Sequence, residues 1–203
     1  MSAILSYKTI AHASTAEYKD RGSRFLAYAF PVNDTGSIRE HLQHLKEEHP
    51  KAVHHCYAWR LGTDGNQFRV NDDGEPSGSA AKPILSQIDS FQLTQLLIVV
   101  VRYFGGTLLG VPGLIQAYKT ASRLALEQVP LIEKDVEKDI HIRFPYSLMN
   151  EIMRVLKQHK VTVLKQDQNL WCEFHLSVAL NVFTPVSEKL SAFHELEFLP
   201  EEK

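Results

Sequence analysis

The run Leu96-Leu-Ile-Val-Val-Val101 constrains the fold more than any other stretch of these 203 residues. Successive side chains on a strand point to opposite faces, so an uninterrupted apolar run means a strand covered on both sides. A covered central strand requires helices or a second sheet above and below it. The run then passes into "RYFGGTLLGVPGL", residues 102–114. Pro112 suits the first turn of a helix, since its missing N–H would have no intrahelical partner there. Leu114, Tyr118, Ala121 and Ala125 would form one face of that helix, and Val129-Pro130 would close it.

The segments before this run supply its neighbours. "SRFLAYAFPV", 23–32, reads as a strand ending in turn residues. Ser37 and Glu40 have capping-box spacing, ahead of Ile38, Leu42 and Leu45 at helical intervals, with Pro50 beyond. "HHCYAWRLG", 54–62, and "QFRV", 67–70, flank Asp64-Gly65 as a hairpin. "NDDGEPSGS", 71–79, is turn chemistry, and Ala80, Ala81, Ile84, Leu85 and Ile88 behind it are spaced for a helix. Ser77 and Ser79 are the candidate caps of that helix.

After residue 130 the pattern changes. "LIEKDVEKD", 131–139, has alternating charge and reads as a linker running into a strand. Strand, helix, two strands about the turn Asp167-Gln168-Asn169, helix and a short strand follow. The order βαββαβ is that of a ferredoxin-like sandwich. The expected organisation is therefore α+β in two domains, 1–134 and 135–203.

No stretch approaches the roughly 18 apolar residues of a membrane span, and the N-terminus lacks a basic, then apolar, secretory signal. Only Cys56 and Cys172 are present, too few for a disulfide framework. A cytoplasmic protein with no membrane partner is expected. The net charge of −2 excludes a strongly basic, nonspecific nucleic-acid binder, so any RNA contact would need a local cluster. Oligomeric state is not legible.

Four constellations bear on chemistry. The glycines at 105, 106 and 110 fit neither Gly-x-Gly-x-x-Gly nor a P-loop, which leaves an anion-binding loop and a packing turn both open. Asp72, Asp73 and Glu75 are crowded enough for a divalent cation, but the calcium-loop pattern is missing and solvated acidic turns are common. His54 and Cys56 share a strand face, whereas His55 points away. Tyr57, Trp59, Phe68, Tyr103 and Phe104, interleaved with Arg60, Arg69 and Arg102, could stack on bases and neutralise phosphates, or could be buried rings with snorkelling arginines.

"HHCYAWRLG", "NDDGEPSGSAAKPIL" and "VVVRYFGGTLLGVPGLIQAYKTA" together resemble the YigZ/Impact family, over residues from about 20 to 128. The resemblance implies that the first domain is an α/β sandwich like the second domain of the fifth small-subunit ribosomal protein. It implies that the tail is the ferredoxin-like domain of the bacterial branch, similar to domains in elongation factor G. Eukaryotic relatives regulate translation under amino-acid starvation, so the implied function is a translation-linked regulatory binding module. Its implied partner is RNA or a ribosome-associated protein. His54, Asp73, Gly74, Glu75, Arg102, Tyr103, Phe104, Gly105 and Gly106 match the family's residue types. With Arg69 and Ser77 they make up the candidate binding surface. Ala81 replaces a usual glycine, Val111-Pro112 a small-Gly pair, and Gln116 a common arginine, which moves the expected phosphate contact to Arg102. No catalytic set, cofactor or metal site is assigned. The alternatives are an enzyme using a phosphate or metal site near Asp73, Glu75, His54 and Arg102, and a protein-interaction adaptor in stress-dependent translational control.

Overall fold

The computed structural model describes residues 3–200. The chain divides into two compact units: residues 7–134, and a second that joins the residues from 135 onward to the segment before Tyr7. Each has its own apolar core.

The first unit is built on a five-stranded antiparallel sheet. Its members are β2 (Ser14–Asp20), β3 (Ser23–Pro31), β4 (His54–Leu61), β5 (Gln67–Asn71) and β6 (Leu96–Tyr103), in the order β2-β3-β6-β4-β5. The apolar run is thus the central strand. Leu96, Ile98 and Val100 face one side, packing with α2 (Ala81–Ser90) and α3 (Gly110–Glu127). Leu97, Val99 and Val101 face the other, against Ile38 and Leu45 of α1 (Thr35–Glu48). Strand β1 (Ser6–Ile10) pairs with β7 (Leu131–Asp135) in a separate ribbon.

The second unit consists of β8 (Glu137–Pro145), a 3-10 turn at Tyr146–Leu148, α4 (Met149–Gln158), β9 (Thr162–Gln168), β10 (Trp171–Ala179), α5 (Leu180–Ser191) and β11 (Glu197–Leu199). Its all-antiparallel sheet has the order β11-β8-β10-β9, which is the ferredoxin-like plan. Ile142, Phe144, Phe174 and Leu176 meet Ile152, Leu156, Val186 and Leu190 on the helix-covered face.

Three local expectations are corrected. Residues 131–139 are not a linker: they form β7, a break at Val136, and the start of β8. Helix α1 is capped by Asp34, whose carboxylate accepts the Gly36 and Ser37 N–H groups, and not by a box on Ser37 and Glu40. Helix α2 has no serine cap. The Asp72 carboxylate, eight and nine residues upstream, accepts from Ala80 and Ala81, and also from Gly78. An ionised carboxylate satisfies several orphan N–H groups where a hydroxyl accepts one or two, so the aspartate displaces the serines.

Candidate functional site

The site grows from the turn after β5. Asp73 and Gly74 both have positive φ, 44° and 88°, and the Glu75 N–H donates to the Asp72 carbonyl at 2.9 Å. Two positive central φ values define a type I′ turn, for which Asp-Gly is well suited. The chain reverses so tightly that Glu75 returns over the ends of β4 and β6. Asp73 ties the turn to β4, its carboxylate accepting the His55 N–H at 2.6 Å.

Glu75 is the centre of the arrangement. Its side chain is 2% exposed and that of Arg102 is 7%. Oε1 accepts from Arg102 Nη1 at 2.6 Å and from the Tyr118 hydroxyl at 2.7 Å. His54 Nε2 lies 3.8 Å from the same oxygen, while Nδ1 is 2.7 Å from the Asp73 carbonyl oxygen. That carbonyl can only accept, so Nδ1 carries a proton and donates it there. His54 and Arg102 are register partners across β4 and β6, which explains why both reach one carboxylate. The guanidinium is flanked by the rings of Phe25 (5.5 Å) and Phe104 (5.7 Å). Beneath, the Cys56 thiol is 3.0 Å from the Asp72 carbonyl oxygen and 3.3 Å from the Tyr118 hydroxyl. Burial pushes both the Cys56 thiol and the Tyr118 hydroxyl up, so neither ionises near neutrality.

Above this floor is a groove of about 510 Å³. His54, Gly74, Glu75 and Arg102 line its base, and Val53, Phe104, Leu108 and Val111 its walls. Leu108 is 82% exposed, and the other three wall residues are also exposed. The first turn of α3 opens on the same space without a side-chain cap.

The remaining expected residues are elsewhere or have other work. Register places Arg69 opposite Trp59, on the α1 face of the sheet, away from Arg102. Tyr103 also faces α1, where its hydroxyl meets His49 Nδ1 at 2.9 Å. Ser77 is exposed and does not line the groove. Gly105 and Gly106 shape the groove's approach without lining it. A Cβ on Gly105 would lie 1.9 Å from the Gly22 carbonyl carbon, whereas Gly106 has open space but a φ of 87°. The aromatic–arginine cluster expected as one stacking surface is divided between the two faces of the sheet. Arg102 does not offer a free charge to phosphate, being held by Glu75. Nor do the carboxylates converge on a cation position: Asp72 caps α2, Asp73 holds β4 and Glu75 holds Arg102. Tyr118 is the participant that sequence reasoning assigned only to the core. Its signal was a phenol at a core-facing helix position, where the hydroxyl needs a buried partner.

The model of the Impact N-terminal domain matches residues 21–126, which contain every residue of the groove and its floor. The chain belongs to the IMPACT family. IMPACT family member YvyE of Bacillus subtilis is 32% identical over 94% of this chain and 84% of its own length. IMPACT family member YigZ of Escherichia coli is 31% identical over 84% and 85%. Among solved structures, the crystal structure of a hypothetical protein matches with a TM-score of 0.74 and 29% identity, covering 98% of both chains. Among the described residues, no helix is long and apolar enough to cross a membrane.

Proposed function

We propose that this IMPACT family member is a translation-linked regulatory binding module whose groove docks a ribosome-associated protein. The observation that carries the reading is the contrast between wall and floor. Exposed Val53, Phe104, Leu108 and Val111 stand over charges that already neutralise one another. Apolar surface left in water around a formed concavity favours a partner that covers it. A phosphate backbone would instead need free cations, and Arg102 and Arg69 do not combine to supply them. The family resemblance supports the translational context, since it implies that eukaryotic members act in translational control.

Co-sedimentation with ribosomes tests this, using wild type and Leu108→Asp at about 0.1 and 0.5 M salt. A contact driven by apolar burial weakens little with salt, so the expected result is binding that survives high salt and is lost in Leu108→Asp. Binding that instead collapses with salt, with a logarithmic slope of about 0.7 per phosphate contact, and ignores Leu108→Asp would favour RNA and overturn the reading.

A further inference from the structure

We infer that the groove seats one apolar side chain of the docked protein together with the uncharged main-chain carbonyl beside it, and that this carbonyl accepts from Arg102 Nε. The inference rests on the docking reading above and concerns the chemistry of the anchor.

One unsatisfied donor carries it. Arg102 gives Nη1 to Glu75 Oε1, whereas its Nε is shielded from solvent and has no partner among the described residues. The side chain is almost wholly buried and belongs to the floor of the groove. A buried N–H left unpaired costs its desolvation penalty, which an arriving acceptor removes. The two rings over the guanidinium differ in freedom. Phe25 is fully buried in the core, while Phe104 is exposed and forms a wall of the groove. A turn of the Phe104 ring is the movement that admits an acceptor, since Phe25 cannot yield without opening the core.

The floor also sets the charge of that acceptor. Arg102 and Glu75 form a closed ion pair at 2.6 Å, with Glu75 only 2% exposed. A carboxylate or phosphate at Nε would share dry surroundings with the Glu75 charge, where like charges are costly. An ammonium brings only donors and meets the charge of the guanidinium. An uncharged carbonyl satisfies Nε without either conflict. The exposed walls, Val53, Phe104, Leu108 and Val111, call for an apolar side chain next to it. One peptide residue carries both groups, and about 510 Å³ accommodates them.

Three probes titrated into the isotope-labelled full chain decide it: N-acetylleucine N-methylamide, N-acetylleucine and 3-methylbutylamine. They share the leucine side chain and end in a neutral amide, a carboxylate and an ammonium. The direct readout is the side-chain Nε–Hε signal of Arg102. The expected result is a downfield proton shift of that signal with the neutral amide, saturating together with main-chain shifts at Gly74 and Val111. The neutral amide should bind about tenfold tighter than the other two, the discrimination expected of one hydrogen bond to a charged group. In Glu75→Leu/Arg102→Met, which has neither floor charge, its advantage over N-acetylleucine should disappear. An unmoved Arg102 signal, equal or tighter binding of the carboxylate or the amine, or no binding of any probe would overturn the inference. If any of these occurs while Leu108→Asp still abolishes ribosome binding, the docking reading stands without this anchor. If Leu108→Asp has no effect on ribosome binding, the docking reading itself falls.

Discussion

Gly105 and Gly106 are neighbours with different reasons to be glycine. A Cβ on Gly105 collides with backbone, 1.9 Å from the Gly22 carbon and 2.1 Å from the Ser23 nitrogen, which no side-chain adjustment relieves. Gly106 has nothing within 4 Å, and its constraint is conformational, at φ 87°. Gly106→Ala should therefore cost about 1–2 kcal/mol, the penalty of a left-handed L-residue. Gly105→Ala should cost on the order of 3 kcal/mol or more, as backbone segments are forced apart. Urea midpoints of both variants check the order, and equal midpoints would contradict it. At the floor of the groove, Glu75→Leu strands a buried guanidinium and should cost about 3–5 kcal/mol. The double variant Glu75→Leu/Arg102→Met leaves no buried charge and should recover most of that loss, as a double-mutant cycle would record. His55 supplies a pH dependence. Burial pushes its pKa below the ordinary value of 6.5, against the upward pull of Asp73. The unfolded chain then binds more protons in the window between the folded pKa and 6.5. Stability is full above that window, falls as the pH drops through it and levels off below. His55→Gln should flatten this part of the stability profile, measured by urea unfolding across pH.

Among elements, α2 depends most on a residue outside itself. Its N-cap position is Ala80, which supplies no side-chain bond, and Asp72 serves the Ala80 and Ala81 N–H groups from across the turn. Asp72→Ala should destabilise the first unit by about 1–2 kcal/mol, as capping losses do. Faster hydrogen exchange in the first turn of α2 is the local readout; unchanged exchange there would show that the cap contributes nothing. Strand β2 was not legible. Its residues, "STAEYKD", alternate in burial but carry little apolar weight, because an edge strand needs less covering. A signal existed in the turn Arg21-Gly22, where both residues have positive φ, 45° and 80°, and join β2 to β3 as a two-residue hairpin.

For the whole molecule, each unit has a separate core and one of the two tryptophans, Trp59 in the first and Trp171 in the second. Trp171→Phe and Trp59→Phe variants thus leave a single fluorescent reporter in either unit. Their urea transitions are expected at different midpoints, since separate cores carry separate stabilities. Coincident midpoints and slopes would mean that the two units unfold as one.

The sequence by itself determined that a strand at 96–101 lies between two layers and that βαββαβ closes the chain. Those features are written in local periodicity and turn chemistry, which act over a few residues. Only the tertiary structure decided that Arg102 is neutralised and Arg69 remote, because a charge's meaning depends on what faces it. A guanidinium 27 positions away and a phenol 43 positions away share one oxygen at Glu75, and no spacing rule connects them. The groove is likewise a product of assembly: Val53, Phe104, Leu108 and Val111 become one surface only when β4, β6 and α3 are packed around that buried ion pair.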